Sequence, residues 1–227
     1  MHISEGILPL GQAAVYTAVA IPFLAKGVLE VKRKVKEEGN DFKALVGLAG
    51  SVVFVVSALA IPVPIAGTCA HPTGIGLAAI LLGPWIAALI AGISLLLQAL
   101  FLAHGGLTTW GANTLNMGIV AGFAAYGCFR LLRACGWPLW GAALAGLVGD
   151  LVCYFGTAWV MAVALASGSQ ILPATGMIFV AFLPTQIPLA ILEAICTAAA
   201  VDFIRRRRPD IITRLKIMKL KEAAASE

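Results

Sequence analysis

Charge is scarce in this chain of 227 residues: Asp, Glu, Lys and Arg make up 12% of it, whereas hydrophobic residues make up 60%. Soluble domains carry about 25% charged residues, so the composition excludes a soluble globular domain. The net charge of +5 arises from short basic blocks between apolar stretches, which do not indicate a nucleic-acid partner. Long stretches nearly free of charge are typical of transmembrane helices. We therefore predict an all-α polytopic membrane protein in the lipid bilayer.

Residues and motifs that carry catalysis are scarce as well. The chain has three His and five Cys, and because no two Cys form a C-x-x-C pair, neither a disulfide framework nor a thiolate zinc site is indicated. The absence of H-E-x-x-H excludes a zinc intramembrane protease, and the absence of a phosphate-binding loop means that the chain does not hydrolyse ATP itself. We predict no catalytic residues, and a transporter of this kind would take its energy from another subunit.

The apolar segments and the basic blocks together predict the topology. The apolar segments lie at about 10–29, 44–61, 75–103, 112–132, 139–165 and 177–204. Basic loops prefer the cytoplasm, and the basic blocks at 32–43, 130–133 and 205–221 share one side only if segment 75–103 crosses twice, turning at Gly83-Pro84. Each half would then be about 14 residues and about 22 Å long. We predict seven spans, with the N-terminus outside and the C-terminus inside.

This topology defines the domain organisation and gathers the histidines. We predict a single transmembrane domain at residues 1–204, with a metal-binding N-terminal tail at 1–9, followed by a basic cytoplasmic tail at 205–227. The N-terminal tail and the turns at 67–74 and 104–109 then all lie on the outer face. All three His are therefore expected at one end of the helix bundle.

Met1-His2 can chelate a metal ion whatever fold the chain adopts. The α-amine, the amide nitrogen of His2 and its imidazole can close two fused rings around one ion, and square-planar nitrogen coordination favours Ni(II) or Cu(II). We expect Met1 to be the free N-terminus, with no signal peptide ahead of it. His71 is the candidate for the fourth nitrogen; its alternative role is to cap the helix that follows its loop.

Other polar residues near these turns are candidates for supporting the site. Cys69 is either a fifth or substitute ligand or a small buried residue, and His104 is expected to support the site rather than to bind the metal. Glu5 either balances the charge of the site, hydrogen-bonds a ligand imidazole or is a solvated loop carboxylate. Three amides near apolar spans are candidate hydrogen-bond donors to the site: Gln98, Asn113 and Asn116.

Two carboxylates, Asp150 and Glu193, lie at about the middle of the predicted sixth and seventh spans. Ionisable residues inside a membrane are costly and usually functional. A shared proton or a common hydrogen-bond network is one interpretation, since the apolar spans contain no cation at the same depth, but the sequence leaves their role open.

Taken together, these motifs resemble the cobalt/nickel S components of energy-coupling factor transporters, the CbiM/NikM proteins. The matching stretches are M-H-I-x-E-G-x-L-P at 1–9, G-T-C-x-H-P-T-G at 67–74, the run at 79–84, A-H-G-G-L-T-T-x-G-A-N at 103–113, and T-Q-I-P at 185–188. The resemblance implies a six-helix core preceded by an extra N-terminal helix. It also implies capture of Ni(II) or Co(II) by the N-terminal amine, the His2 amide and imidazole, and the His71 imidazole.

The resemblance further implies partners in a prokaryotic cell membrane: a transmembrane coupling protein, two cytoplasmic ATPases and often a small accessory membrane subunit. No cofactor is expected besides the transported ion. We predict that the coupling protein docks on small residues of the second and third spans, namely Gly47, Ser51, Ala58, Ala78 and Ala79; packing inside the bundle is the alternative. A stand-alone metal permease remains the alternative function, and the sequence does not choose between nickel and cobalt.

Overall fold

The computed structural model describes residues 2–63 and 68–218, which form a bundle of helices. The helices are α1 Leu10–Glu38, α2 Asn40–Ser57, α3 Ile75–Leu82, α4 Pro84–Phe101, α5 Trp110–Asn113, α6 Ala121–Ala134, α7 Pro138–Leu165, α8 Ile171–Arg207 and α9 Pro209–Arg214. A π-helical segment, Thr114–Val120, joins α5 to α6, and a 3-10 turn, Gly168–Gln170, precedes α8. Two short strands, β1 Ile61–Val63 and β2 Thr68–Ala70, pair antiparallel.

Within the described part of the chain, six helices are long and apolar enough to cross a membrane: α1, α2, α4, the continuous helix 110–134, α7 and the helix 168–207. The predicted multi-pass helical fold is therefore confirmed. The predicted break at Gly83-Pro84 is also present, because α3 ends at Leu82 and α4 begins at Pro84. A seventh complete span is not confirmed, since the eight residues of α3 rise about 12 Å against a hydrocarbon core of about 30 Å.

The short helix α3 lies inside the bundle. Seven of its eight residues are buried, and it packs against α4, α6 and α7. A helix that is hydrophobic on all sides belongs in such a position. The surrounding helices shield the ends of α3, where backbone groups lack helical partners, from lipid.

The basic stretch after the first span is helical rather than a loop, so the predicted loop at 32–43 is wrong. Helix α1 continues through Glu38, and only Gly39 separates it from α2. Ion pairs one helical turn apart stabilise this extension, because Arg33 lies 2.6 Å from Glu30 and Lys34 lies 3.5 Å from Glu38.

Helices α7 and α8 approach each other closely where Gly146 faces Glu193. A Cβ at Gly146 would lie 2.7 Å from the Glu193 carbonyl oxygen, so only glycine permits this contact. The close packing brings Asp150 of α7 and Glu193 of α8 into the buried interior, with 0% and 5% of their surfaces exposed. Both carboxylates thus lie inside the protein rather than against lipid.

The basic end of the chain folds back on the bundle. The α8 helix runs through Arg207, and the Arg205 guanidinium lies 2.7 Å from Asp202. Farther on, Arg214 lies 3.1 Å from Glu38 at the end of α1, and Arg133 of α6 donates to the backbone of Lys216 at 2.9 Å. Residues 219–227 of the predicted basic tail lie outside the described residues.

The structure corrects part of the predicted docking surface. Ala78 and Ala79 are buried inside the bundle, so docking of a partner on the third span is wrong. Their methyl groups let α3 pack closely against its neighbours. Gly47 and Ser51 of α2 are exposed and remain available to a partner.

Candidate metal centre

Three imidazoles converge where the N-terminal tail meets the loops before α3 and α5. One ligand atom from each of His2, His71 and His104 lies within 4.8 Å of the others. The His2 ring stacks on that of His71, with centroids 4.4 Å apart and an interplanar angle of 30°, and lies edge-on to that of His104 at 4.2 Å. Met1, the other predicted ligand residue, lies outside the described residues.

The N-terminal tail is inserted into the protein by hydrogen bonds to the backbone of Ile3, which is fully buried. The Ile3 N–H donates to Asn113 Oδ1 at 2.8 Å, and Asn113 Nδ2 donates back to the Ile3 carbonyl at 3.2 Å. The Thr109 hydroxyl donates to the same carbonyl at 2.6 Å. Asn113 therefore holds the residue next to His2. Thr109 was not among the predicted site residues, although it lies in the A-H-G-G-L-T-T stretch.

Glu5 ties the tail to the loop after α4. Its carboxylate accepts a hydrogen bond from the Thr108 hydroxyl and lies 3.3 Å from the Thr108 backbone N–H, which donates to it. Glu5 is exposed, and its contacts are made with the loop. This geometry gives it a structural role in holding the tail in place.

The His71 ring presents a bare nitrogen to the cluster. Its Nδ1 lies 2.9 Å from the Pro72 carbonyl oxygen, and because a carbonyl only accepts, Nδ1 carries the proton and Nε2 keeps its lone pair. Among the described residues this buried Nε2 has no hydrogen-bond partner. A buried polar atom without a partner costs about 1–3 kcal/mol, and a metal ligand commonly has its other ring nitrogen bonded to a carbonyl in this way.

The loop that carries His71 is held by α7 and α8. Glu193 accepts hydrogen bonds from the Thr73 N–H at 2.8 Å, the Thr73 hydroxyl at 2.6 Å and the Gly74 N–H at 2.8 Å. Gly74 adopts a φ of +65°, a conformation that favours glycine. The Tyr154 hydroxyl accepts from the His71 N–H at 2.9 Å. Glu193, whose role the sequence left open, thus positions the His71 loop.

Asp150 lies near Glu193, and the two buried carboxyl groups interact electrostatically. Gln186 Nε2 donates to Asp150 Oδ2 at 2.5 Å. Gln186 was not predicted as a site residue, although the T-Q-I-P stretch that contains it was part of the resemblance. The three side chains extend the support of the His71 loop into the α7–α8 interface.

The remaining predicted amides contact helices rather than the imidazoles. Gln98 Nε2 donates to the Ser57 hydroxyl at 2.8 Å, and the Gln98 backbone carbonyl accepts from the His104 N–H at 3.2 Å. Gln98 therefore ties α4 to α2, and its carbonyl anchors the loop that carries His104. Asn116 donates to the Thr157 hydroxyl at 3.4 Å, which links the π-helical segment to α7.

The protonation of the cluster favours a bound cation. Burial, followed by the neighbouring His71, lowers the pKa of His2 well below its usual value. Burial also lowers the pKa of His71 well below its usual value and that of His104 less strongly. At neutral pH the three rings are therefore neutral, which is the form that binds metal ions.

Several proteins similar to this chain are named for metal transport. A family model described as "CbiM: Cobalt uptake substrate-specific transmembrane region" matches residues 2–211. The chain is 46% identical to a cobalt transport protein CbiM of Sorangium cellulosum, covering 99% of this chain and 100% of that protein. It is 47% identical to a cobalt transport protein CbiM of Geobacter sulfurreducens over 96% of this chain but 63% of that protein. A crystal structure of a transition metal transporter superposes with a TM-score of 0.78 at 27% identity, covering 95% of this chain and 100% of that one.

Proposed function

This chain belongs to the CbiM family of cobalt-uptake, substrate-specific transmembrane proteins, and on that basis we propose that it captures Co(II) or Ni(II) at the outer face through Met1, His2 and His71. The observation that carries the proposal is the orientation of His71. Its Nδ1 is held by the Pro72 carbonyl, so its Nε2 is left as a lone-pair donor inside a cluster of neutral imidazoles.

The proposed ligands are four nitrogens. The N-terminal amine, the His2 amide nitrogen and the His2 imidazole form the chelate, and His71 supplies the fourth nitrogen. The His2 amide releases its proton to solvent as it binds the ion. Anchoring of Ile3 by Asn113 and Thr109 supports this assignment, because it restricts the short segment that must wrap around the ion. A square plane of nitrogens suits Ni(II), whereas the curated relatives are named for cobalt, so both ions belong in the test.

The proposed orientation in the membrane has the His cluster outside and the basic end in the cytoplasm. The tail that carries His2 precedes α1, whereas Arg214 contacts Glu38 at the last turn of that helix. The 29 residues of α1 span about 43 Å, so the two groups lie at opposite ends of the bundle. Arg133 and the arginines at the end of α8 share the basic end, as expected for the cytoplasmic side.

We propose that partner subunits supply the energy for uptake by hydrolysing ATP. These partners are a transmembrane coupling protein, two cytoplasmic ATPases and a small accessory membrane subunit. The chain contains no phosphate-binding loop of its own. An exposed groove of about 450 Å³ between α2 and α4, lined by Gly47, Gly50, Ser51 and Ser94 among others, supports the docking of a partner helix. Small residues permit such close helix approach in a membrane.

Calorimetric titration of the purified chain with Co(II) and Ni(II) tests the metal site. Adding one Gly before Met1 moves the amine out of its chelate ring, and His71→Ala deletes one in-plane nitrogen. We expect each change to weaken binding by at least about 100-fold, the upper part of the range seen when the surroundings of a metal ligand are altered. One Gly added at the C-terminus is the control. Native affinity in the N-terminally extended chain would show that the amine is not a ligand.

Uptake measurements separate the proposed importer from a stand-alone permease. Cells that make this chain alone should not accumulate cobalt, whereas co-expression of the coupling protein and ATPases should restore uptake that depends on ATP. Cobalt uptake by the chain alone, without ATP, would favour the permease.

A further inference from the structure

A thiol lies beside the imidazole cluster. Cys69 Sγ is 3.0 Å from His104 Nε2, and that same nitrogen is 3.1 Å from His2 Nδ1. Cys69 and His104 are half-buried, whereas His2 and His71 are buried. Consecutive contacts therefore connect half-buried Cys69, through His104, to the buried rings of His2 and His71.

The backbone around His104 is bent to reach this position. Ala103 adopts a φ of +49°, which is uncommon for a residue with a side chain. This turn follows directly on α4 and lets the His104 N–H bond the Gln98 carbonyl at 3.2 Å. Strained conformations of this kind persist where the surrounding structure requires them, and they cluster at functional sites.

Cys69 is likewise placed by its surroundings. It lies in β2, opposite Pro62 of β1, one residue before buried Ala70 and two before His71. Because all three His of the chain belong to this cluster, Cys69 has an imidazole neighbour that the free cysteines Cys135 and Cys196 do not. The Cys69–His104 contact therefore needs an explanation specific to this site.

We propose that Cys69 and His104 form an outer capture pair, which binds the incoming Co(II) ion before it reaches His2 and His71. This inference rests on the proposed function. A thiolate and an imidazole are good ligands for first-row divalent ions. The hydrated ion exchanges water for Cys69 Sγ and His104 Nε2, and the thiol releases its proton to solvent.

Transfer inward then exchanges ligands one at a time. His2 Nδ1 lies close enough to His104 Nε2 to replace the thiolate while His104 still holds the ion. Cys69 takes a proton back from solvent as it leaves. The ion moves on when the buried Nε2 of His71, which has no partner among the described residues, completes the inner set of ligands. His104 is then released, so neither outer ligand remains in the final complex.

Rapid mixing of the purified full-length chain with Co(II) tests the capture pair. A thiolate bound to Co(II) gives a near-ultraviolet charge-transfer band that nitrogen ligands do not give. In the native chain and in a Cys135→Ser control, we expect this band to appear first and then to decay as the final complex forms. In Cys69→Ser the band should be absent and the association rate should fall by about tenfold or more, within the range that single changes produce, with the equilibrium affinity nearly unchanged. Cys69→Ala and His104→Ala should slow association similarly.

The outcomes are distinguishable. If the native chain binds Co(II) with an affinity that depends on His71 but never shows a thiolate band, and Cys69→Ser associates at the native rate, the capture pair is wrong and the proposed function stands. A band that persists at equilibrium would make Cys69 a final ligand and would also overturn the transient role. No binding of Co(II) or Ni(II) by the native chain would instead refute the proposed function.

Discussion

Removal of the Glu193 carboxylate tests whether α8 holds the loop that carries His71. Glu193→Ala deletes three hydrogen bonds at once and leaves the Thr73 N–H, the Thr73 hydroxyl and the Gly74 N–H without their acceptor. Glu193→Gln is the graded change. With its oxygen at the Oε1 position it retains the contacts to the hydroxyl and to Gly74, but its amino group then faces the Thr73 N–H.

The expected magnitudes follow from these contacts. A buried donor that loses its acceptor costs about 1–3 kcal/mol, so Glu193→Ala should destabilise the loop by at least about 3 kcal/mol, and Glu193→Gln by about 1–3 kcal/mol. In Glu193→Ala, water that enters the space left by the carboxylate bonds some of these donors. The loss for this variant therefore stays near about 3 kcal/mol. If the ordered loop is needed to present His71, a loss of about 3 kcal/mol weakens metal binding by about 10²-fold, at 1.4 kcal/mol per tenfold.

Two measurements check this prediction: the affinity for Co(II) by calorimetry and the thermal unfolding temperature in detergent. Glu30→Gln is the matched control, because Glu30 pairs with Arg33 in the basic stretch of α1, remote from the His cluster, and should leave Co(II) affinity unchanged. Affinity should fall in the order native, Glu193→Gln, Glu193→Ala. Native affinity and native unfolding temperature in Glu193→Ala would refute the reasoning that α8 positions His71.

Three further predictions concern the tail, the partner surface and pH. Asn113→Ala removes both amide hydrogen bonds to Ile3 and should weaken Co(II) binding by about tenfold, since supporting contacts at metal sites are worth about 10–100-fold; an unchanged calorimetric titration would contradict this. Gly47→Leu should abolish uptake but leave Co(II) binding unchanged, whereas Gly176→Leu, which also faces open space, should change neither. Loss of both uptake and binding in Gly47→Leu would indicate that Gly47 packs inside the bundle. Because burial lowers the pKa of His71, the unfolded chain takes up the imidazole proton first as pH falls below about 6.5. The unfolding temperature of the native chain should therefore fall further on this acidification than that of His71→Ala, and equal falls in the two chains would contradict the reasoning.

The helical spans were predictable because they depend on local composition. Exposing a run of about 20 apolar residues to water is unfavourable. Inside a membrane such a run forms a helix, which satisfies its own backbone hydrogen-bonding groups. The same locality applies to the break at Gly83, where glycine and proline follow each other in an apolar run. The prediction was wrong at 32–43, where ion pairs between residues one turn apart extended α1 through Glu38.

The chelating potential of Met1-His2 and the candidacy of His71 were likewise readable from the sequence, because a chelate ring is closed by consecutive atoms and the loop motifs are continuous. The sequence alone also determined that the chain is a multi-pass membrane protein. Which residues surround His71 was decided by the tertiary structure. Thr73 and Glu193 are separated by 120 residues, and His2 and His104 by 102. Such pairs meet only because α3 is buried among longer helices and Gly146 lets α7 and α8 pack closely, and no local pattern encodes distances that depend on how several helices pack together.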